Sequence, residues 1–211
     1  MLFKNNFNNA SPLHSLMTTC FFIKSSTIDV SKYTIKDLVG STGRLDVIVR
    51  CILAVLLREN EFEKDVQIWT FLDNYGTYIF DSEQLEYSSF PKNELLLADW
   101  FEKLIEGKDL ENVENPLSSV KRSEKEIIEA IKDHIKSGYE AYTLSESGQD
   151  FFSCIEVIKT KNKLLFVVGN QTGDFIASDV LLDLNLPSLS FGAGSYLASS
   201  IIRLIKLYLL R

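Results

Sequence analysis

The chain has 211 residues, of which 45% are hydrophobic and 24% are charged, and its formal net charge is −7. The length suits one domain with a substantial core, and the composition is that of a globular protein. The acidic balance excludes a chain coated in basic surface for non-specific nucleic-acid binding, although a local basic patch on an acidic body is compatible with RNA.

The cysteines, the histidines and the hydropathy exclude further classes. Cys20, Cys51 and Cys154 are odd in number, far apart and in apolar contexts, which predicts buried free thiols and a cytoplasmic location. The two histidines and the absence of CxxC and HExxH predict that no metal is bound. A Ser-His-Asp triad would need His134, whose charged helical surroundings argue against it. No apolar run reaches the roughly 20 residues that span a membrane.

The N-terminal residues differ in character from the rest of the chain. Residues 1–16 contain four asparagines and lack the apolar core of a signal peptide, which predicts a disordered leader. Met17 precedes the first strand, so we hypothesise that translation starts there, and the mass of the native protein would test this. Residues 17–211 are predicted to form a single domain.

The remaining pattern predicts alternating strands and helices. Strands are predicted at 20–23, 66–72, 77–80, 140–144, 154–159 and 164–168, with a short apolar segment at 186–190, and helices at 44–57, 92–105, 123–138 and 195–209. Ser123 and Glu126 form a capping-box pattern for the third helix. The segment 107–121 is predicted to be a loop. Several strands are wholly apolar, which favours an α/β fold with a mostly parallel sheet covered by helices on both faces.

Two glycine-containing turns follow strands near the C-terminus. In 164–173 a buried strand runs into a turn that holds Gly169, Asn170 and Gly173, and in 186–195 another leads through Leu189 and Ser190 into small residues. Open α/β sheets bind ligands at the carboxyl ends of their strands, and glycine lets a backbone approach a ligand. An ordinary strand-turn and a flexible helix start are the alternative interpretations.

Charged residues interrupt an otherwise apolar helix after the Gly40–Gly43 turn. Asp46 and Arg50 are four residues apart and share a helix face, while Arg44 lies near the helix N-terminus, which favours anions. One interpretation is a phosphate site at Arg44, and the other is an intrahelical ion pair. Lys121-Arg122 is a second basic candidate for RNA binding, with a solvated charge run as the alternative.

These segments together resemble one enzyme family. The stretches Phe21-Phe22-Ile23-Lys24, 37–46 (DLVGSTGRLD) and Arg50-Cys51 resemble the N-terminal signature of the archaeal tRNA pseudouridine-54 N1-methyltransferases, which belong to the SPOUT class. The glycine turn at 169–173 and the Leu189-Ser190 strand end fall where that family places its cofactor loops. The order agrees from Met17 to the C-terminus.

The resemblance implies a C-terminal trefoil knot, an exception to the rule against threaded chains, and a homodimer formed through the knot region. It implies that S-adenosylmethionine binds at Leu144, Gly169, Gly173 and Leu189, largely through backbone groups, and we add Asn170 and Ser190 as neighbours. It implies that Lys24, Arg44, Asp46 and Arg50 face the tRNA. The apolar residues of the last helix, broader than one core needs, also favour a dimer.

The implied reaction is methylation of pseudouridine N1, which must lose a proton. Asp46 is the candidate base, or it orients Arg50, which would stabilise the developing anion. The chain departs from the family at Asn170, which is often acidic in relatives, and in the loop after Ser190, where 191–195 (FGAGS) replaces the usual continuation. Two alternatives therefore stand beside the tRNA enzyme: a ribosomal RNA pseudouridine methyltransferase, and a non-catalytic RNA-binding factor on a decayed scaffold.

Overall fold

The computed structural model describes residues 17–37, 40, 42–107, 114–169, 174–192, 194 and 196–210. The predicted leader at 1–16 lies outside these residues and stays a prediction. The strands are β1 (Thr18–Ser25), β2 (Leu57–Arg58), β3 (Glu61–Phe62), β4 (Val66–Leu72), β5 (Gly76–Asp81), β6 (Lys121–Ser123), β7 (Glu140–Asp150), β8 (Lys163–Val168) and β9 (Ser188–Ser190). The helices are α1 (Leu45–Leu56), α2 (Glu94–Glu106), α3 (Ile127–Lys136), α4 (Phe151–Ile158), α5 (Asp179–Leu182) and α6 (Ala198–Leu209).

Seven strands form one sheet in the order β6-β5-β4-β1-β8-β7-β9. Strands β4, β1, β8, β7 and β9 are mutually parallel, and β5 runs antiparallel to both β4 and β6. The mostly parallel sheet and the β4–β5 hairpin predicted from the sequence are confirmed. Since strands alternate with helices along the chain, the parallel pairs are joined by crossovers.

Both faces of the sheet are covered, as the apolar strands predicted. Side chains of β1 alternate between two cores: Phe21 and Ile23 belong to the larger one, and Cys20 and Phe22 to the smaller one on the opposite face. Helix α1 packs into the larger core, and α3 contributes Ile131 to the smaller one.

Two helix starts differ from the prediction for a local reason. Helix α2 begins at Glu94, not at 92, because the Asn93 side chain accepts a hydrogen bond from the Leu96 N–H at 3.0 Å and caps the helix. The capping box at Ser123 is wrong: Ser123 ends β6, its hydroxyl accepts from the Lys125 N–H at 3.2 Å, and α3 starts only at Ile127.

The strand predicted at 154–159 is wrong, because residues 154–158 belong to helix α4 and Lys159 is its C-cap. The Asp150 side chain caps that helix by accepting a hydrogen bond from the Ser153 N–H at 2.8 Å. Phe151 and Ile158 are both fully buried and lie two turns apart on one face. A short run of β-branched residues with a helical period was therefore misread as a strand.

The C-terminal helix packs against the first helix. Helix α6 begins at Ala198, not at 195, and Ile202 and Ile205 are fully buried in the core that it shares with α1. The Lys206 ammonium group is buried with them and donates hydrogen bonds of 2.7–3.0 Å to the carbonyl oxygens of Ala54, Val55 and Leu57. A lysine from the last helix thus caps the C-terminus of the first one.

The cysteines are free, as predicted, but not all are buried. Cys20 and Cys51 lie in the core, and burial raises the pKa of the Cys51 thiol to about 12, whereas Cys154 is partly exposed on α4. Within the described ranges, no helix is long and apolar enough to cross a membrane.

His134 makes the stability of the smaller core sensitive to acid. Its ring lies 4.8–5.1 Å from those of Phe22, Trp69 and Tyr139, and its Nδ1 is 2.8 Å from the Ala130 carbonyl oxygen. Burial lowers the pKa of His134, an effect that outweighs the hydrogen bond to Ala130 and the carboxylate of neighbouring Asp133, which both raise it. The folded state therefore binds fewer protons than the unfolded state below about pH 6.5.

We expect the free energy of unfolding to fall as the pH drops from about 6.5 through the lowered pKa of His134. A His134→Phe variant should lose this part of the pH dependence while following the wild-type curve above about pH 7.5. Urea unfolding followed by circular dichroism, from about pH 7.5 down through the lowered pKa of His134, measures both effects. Identical slopes in the two proteins below pH 6.5 would contradict the prediction.

Candidate functional site

The carboxyl ends of the parallel strands bring the sequence-predicted residues to one edge of the sheet. Lys24 lies at the end of β1, Gly169 follows β8, and Leu189 and Ser190 end β9. Leu144 lies on β7 opposite Leu189. Because ligands of open α/β sheets bind at this edge, the candidate cofactor and RNA residues share the expected location.

Two hydrogen bonds hold the turn before α1 at the same carboxyl end of the sheet. The Thr27 hydroxyl donates a hydrogen bond to the Gly43 carbonyl oxygen at 2.7 Å, and the Asp29 N–H donates to the Thr42 carbonyl oxygen at 3.3 Å. Gly43 has a φ of +57°, and a Cβ there would lie 1.7 Å from the Thr27 carbonyl oxygen. Only glycine fits this position, which fixes where α1 begins.

Asp46 lies between the two arginines that the sequence singled out. Its side chain is 4% exposed, its Oδ1 accepts from Arg44 Nε at 3.0 Å, and its Oδ2 accepts from both Arg44 and the Nη2 of Arg50. Arg50 also donates to the Asp46 carbonyl oxygen at 3.2 Å and lies 3.8 Å from Glu94. The intrahelical ion pair of Asp46 and Arg50 is therefore present. A carboxylate that already accepts hydrogen bonds from two guanidinium groups is better suited to orienting them than to abstracting a proton.

The two arginines differ in what they present to solvent. The Arg44 side chain is 45% exposed, against 27% for Arg50. Arg44 precedes α1 with a φ of +76°, and its hydrogen bond to Asp46 raises its pKa. Arg44 therefore presents a permanent positive charge to solvent at the start of α1, while the Arg50 guanidinium group is more buried.

Lys24 forms an ion pair with Asp73, the residue that follows β4. The Lys24 side chain is 18% exposed and that of Asp73 is 37% exposed. Partial burial lowers the pKa of Lys24, and the negative charge of Glu126 opposes this shift. A phosphate contact at Lys24 thus has to compete with two carboxylates.

The end of β9 is held by an irregular part of β7. Leu189 lies opposite both Leu144 and Gln149, so residues 145–148 bulge out of the ladder. The Ser190 hydroxyl donates a hydrogen bond to the Glu146 carbonyl oxygen at 3.1 Å. A Cβ at Gly148 would lie 2.7 Å from backbone atoms of Ser188 and Leu189, so glycine permits this close approach.

The glycine turn after β8 is only partly described. A Cβ at Gly169 would lie 2.8 Å from the side chain of Ile176, so this position requires glycine or a shift of Ile176. Asn170 and Gly173 lie outside the described residues, and their predicted cofactor contacts stay predictions. Leu144 and Leu189 are only 7% and 2% exposed as whole residues, so both are covered at this part of the sheet.

Lys121 and Arg122 were predicted to end a loop, but they belong to β6, the outermost strand of the sheet, which pairs with β5. Arg122 donates a hydrogen bond to the Tyr75 carbonyl oxygen at 3.4 Å, and its guanidinium carbon lies 5.3 Å from the centre of the Tyr78 ring. Both basic residues are exposed. β6 thus carries this basic pair next to the β4–β5 turn.

Sequence reasoning missed a recess of about 380 Å³ beside that turn, which Asp73, Asn74, Arg122 and Glu126 help to line. The sequence signal for this recess is the position of Asp73 directly after a buried strand, because ligands of open α/β sheets bind at strand ends. Within the described part of the chain, no group of three histidine, cysteine, aspartate or glutamate side chains could hold a metal.

Known proteins resemble this chain over nearly its whole length. Residues 17–211 match the family model described as "Putative SAM-dependent RNA methyltransferase". The chain is 28% identical over 201 residues to the tRNA (pseudouridine(54)-N(1))-methyltransferase of Pyrococcus abyssi, covering 90% of this chain and 96% of that one. It is 26% identical over 202 residues to the enzyme of the same name from Thermococcus onnurineus, covering 90% and 95%.

A solved structure has the same fold. The crystal structure of Archaeoglobus fulgidus Nep1 bound to S-adenosylhomocysteine aligns with a TM-score of 0.62 at 14% sequence identity. The alignment covers 91% of this chain and 97% of that one. At this identity the likeness is one of fold, and it extends over nearly the whole chain.

Proposed function

Because the chain belongs to a family of S-adenosylmethionine-dependent RNA methyltransferases, we propose that it methylates N1 of a pseudouridine in tRNA, at position 54. The observation that carries the proposal is the convergence at one sheet edge of the glycine-lined strand ends and the arginine-bearing start of α1. One provides backbone groups for a cofactor, and the other provides positive charge for RNA.

The location of the strand ends supports S-adenosylmethionine binding there. Leu144 and Leu189 are themselves buried, and the chain is tightly packed at both glycines: a Cβ at 148 would meet the backbone of Ser188 and Leu189, and one at 169 would meet the Ile176 side chain. The bound cofactor supplies a methyl group on a positively charged sulfur, which is already activated for transfer. The chain's own residues then have to bind and orient the RNA base.

Asp46 supports this orientation through its two arginines. We assign Arg44 to a phosphate of the RNA, since it is the more exposed, and Arg50 to the negative charge that develops on the base as N1 loses its proton to water. Asp46 holds both guanidinium groups in place and is a positioning residue in this scheme. This is the second of the two roles that the sequence suggested for it.

Arg44→Met and Arg50→Met form a matched pair, because each variant removes one guanidinium partner of Asp46. Arg44→Met should weaken tRNA binding and reduce the slope of log K against log salt by about 1, with kcat unchanged. Arg50→Met should lower kcat by about 100-fold, with the tRNA Kd unchanged. Equal effects of both variants on Kd and kcat would contradict the assignment, and an Asp46→Asn variant with wild-type kcat would exclude Asp46 as the base.

We also propose the finer features of the family: a trefoil knot near the C-terminus, a homodimer through that region, and a cytoplasmic location. The close passage of β9 along the bulge of β7 supports the knot. For the dimer, Phe152 on α4 and Tyr208 on α6 are 45% and 40% exposed, and their rings lie 5.1 Å apart. Light scattering during gel filtration tests the dimer, since a monomeric mass at micromolar concentration would exclude it.

A non-catalytic RNA-binding factor is the alternative that the departures after Ser190 favour. A ligand that binds only the folded state stabilises it by RT ln(1 + [L]/Kd), so a cofactor present at about 100 times its Kd stabilises by about 2.7 kcal/mol. We expect S-adenosylmethionine to raise the melting temperature accordingly. An unchanged melting temperature at millimolar cofactor would favour the binding factor.

The decisive experiment uses labelled S-adenosylmethionine and tRNA that carries pseudouridine, followed by digestion and mass spectrometry. N1-methylpseudouridine is the expected product. Ribosomal RNA fragments serve as competing substrates, because a ribosomal pseudouridine methyltransferase would prefer them. Bound but unmodified tRNA would contradict the proposed reaction.

A further inference from the structure

The recess beside the β4–β5 turn lies close to the proposed cofactor edge. Its volume of about 380 Å³ falls in the range of pockets for small molecules. It opens at the carboxyl end of β4, and β1 alone separates β4 from β8 in the sheet. Two strand spacings are about 10 Å, so a nucleoside seated in the recess can reach toward the end of β8.

The recess has a polar rim. Phe71, Leu72 and Ile105 also line it but are only 2–6% exposed, so the surface that the recess offers a ring is mainly polar. The rim carries Asp73 and Glu126, whose carboxylates accept hydrogen bonds, and Arg122, whose guanidinium donates them. Such a combination matches a ring that has both N–H and carbonyl groups at its edge.

Asp73 is more accessible to such a ring than Asp46. Asp46 is 3% exposed and accepts hydrogen bonds from two arginines, whereas the Asp73 side chain is 37% exposed and pairs with Lys24. Lys24 itself lies at the end of β1, between the recess and β8. Asp73 thus lies where a base held between recess and cofactor would pass.

We propose that this recess is the subsite for the target base, in which Asp73 accepts a hydrogen bond from the N1–H of the ring. The inference rests on the proposed function. Pseudouridine carries N–H groups at both N1 and N3, whereas uridine carries only the one at N3. An acceptor-only carboxylate therefore favours pseudouridine, and the neighbouring carboxylate of Glu126 disfavours a phosphate at this point.

The test compares two RNA stem-loops that differ only in a pseudouridine or a uridine at the target position. We expect the wild-type protein to bind the pseudouridine form about 10-fold more tightly, the lower end of the effect of one charge-assisted hydrogen bond. Asp73→Asn should reduce this ratio, because the hydrogen bond that an amide oxygen accepts lacks the negative charge of the carboxylate. Asn74→Trp should do the same by filling the recess from its exposed rim.

Asp65→Asn is the matched control, because Asp65 lies beside the opposite end of β4 and asparagine tolerates its φ of +54°. This variant should keep the wild-type ratio. A wild-type ratio of 1, or a ratio that survives either Asp73→Asn or Asn74→Trp, overturns the proposal. Fluorescence anisotropy measures these ratios without turnover, so a protein that discriminates but transfers no methyl group would contradict only the proposed reaction.

Discussion

Gly43→Ala should lower the free energy of unfolding by about 2–4 kcal/mol and disrupt RNA binding at the start of α1. Two independent costs combine at this position. A side chain at a φ of +57° is strained, and the new Cβ would lie 1.7 Å from the Thr27 carbonyl oxygen. Because a main-chain atom cannot move aside as a flexible side chain can, the turn that carries Arg44 has to shift.

Gly107→Ala is the control that separates these costs. Gly107 has a similar φ of +65°, but a Cβ there meets nothing within 4 Å. This variant should lose only about 1 kcal/mol, the cost of the left-handed conformation for alanine. Chemical denaturation measures both losses, and filter binding of tRNA measures the displaced turn. Equal losses in the two variants would show that the contact with Thr27 is not limiting.

Lys206→Met should destabilise the protein by about 3–5 kcal/mol, the usual range for removing one partner of a buried ion pair. Methionine retains most of the side-chain volume but removes the donor that three carbonyl oxygens at the end of α1 share. It also leaves the 5% exposed Glu63, which lies 3.5 Å from the ammonium group, with Arg58 at 3.4 Å as its remaining cation.

Lys159→Met serves as the comparison, because Lys159 forms an ion pair with Glu156 at 3.2 Å on an exposed helix face. Exposed pairs contribute little, so this variant should change stability by less than about 1 kcal/mol. Both variants are measured by urea denaturation at neutral pH. A Lys206→Met protein as stable as Lys159→Met would mean that water satisfies the carbonyl oxygens.

The apolar strands and the buried first helix could be predicted because their patterns are strong and local. Helix α4 could not be predicted, since its eight residues contain isoleucine and valine at spacings that suit either a helix or a strand. Its cap, Asp150, ends a long irregular strand, and that irregularity depends on the later β9. The residues around 154 give no indication of the contact between β7 and β9.

For the candidate site, residue types were predicted better than partnerships. Arg44, Asp46 and Arg50 were recognised as a group because they are close in sequence on one helix. The pairing of Lys24 with Asp73, and the recess that Asp73 lines, arise from residues 49 positions apart on neighbouring strands. Strand order decides such contacts, and a single sequence does not specify that order.

The position of β9 has a consequence for how the protein is made. Ser190 contacts Glu146 in the β7 bulge, which lies 44 residues earlier in the chain. Helix α6 completes the core that α1 begins, and the hydrogen bond from Lys206 to Ala54 joins residues 152 positions apart. During synthesis, we therefore expect the apolar surface of α1 to stay exposed until α6 has left the ribosome. Nascent chains stalled before residue 186 should be bound by chaperones and cleaved readily by proteases, because their core lacks its final wall.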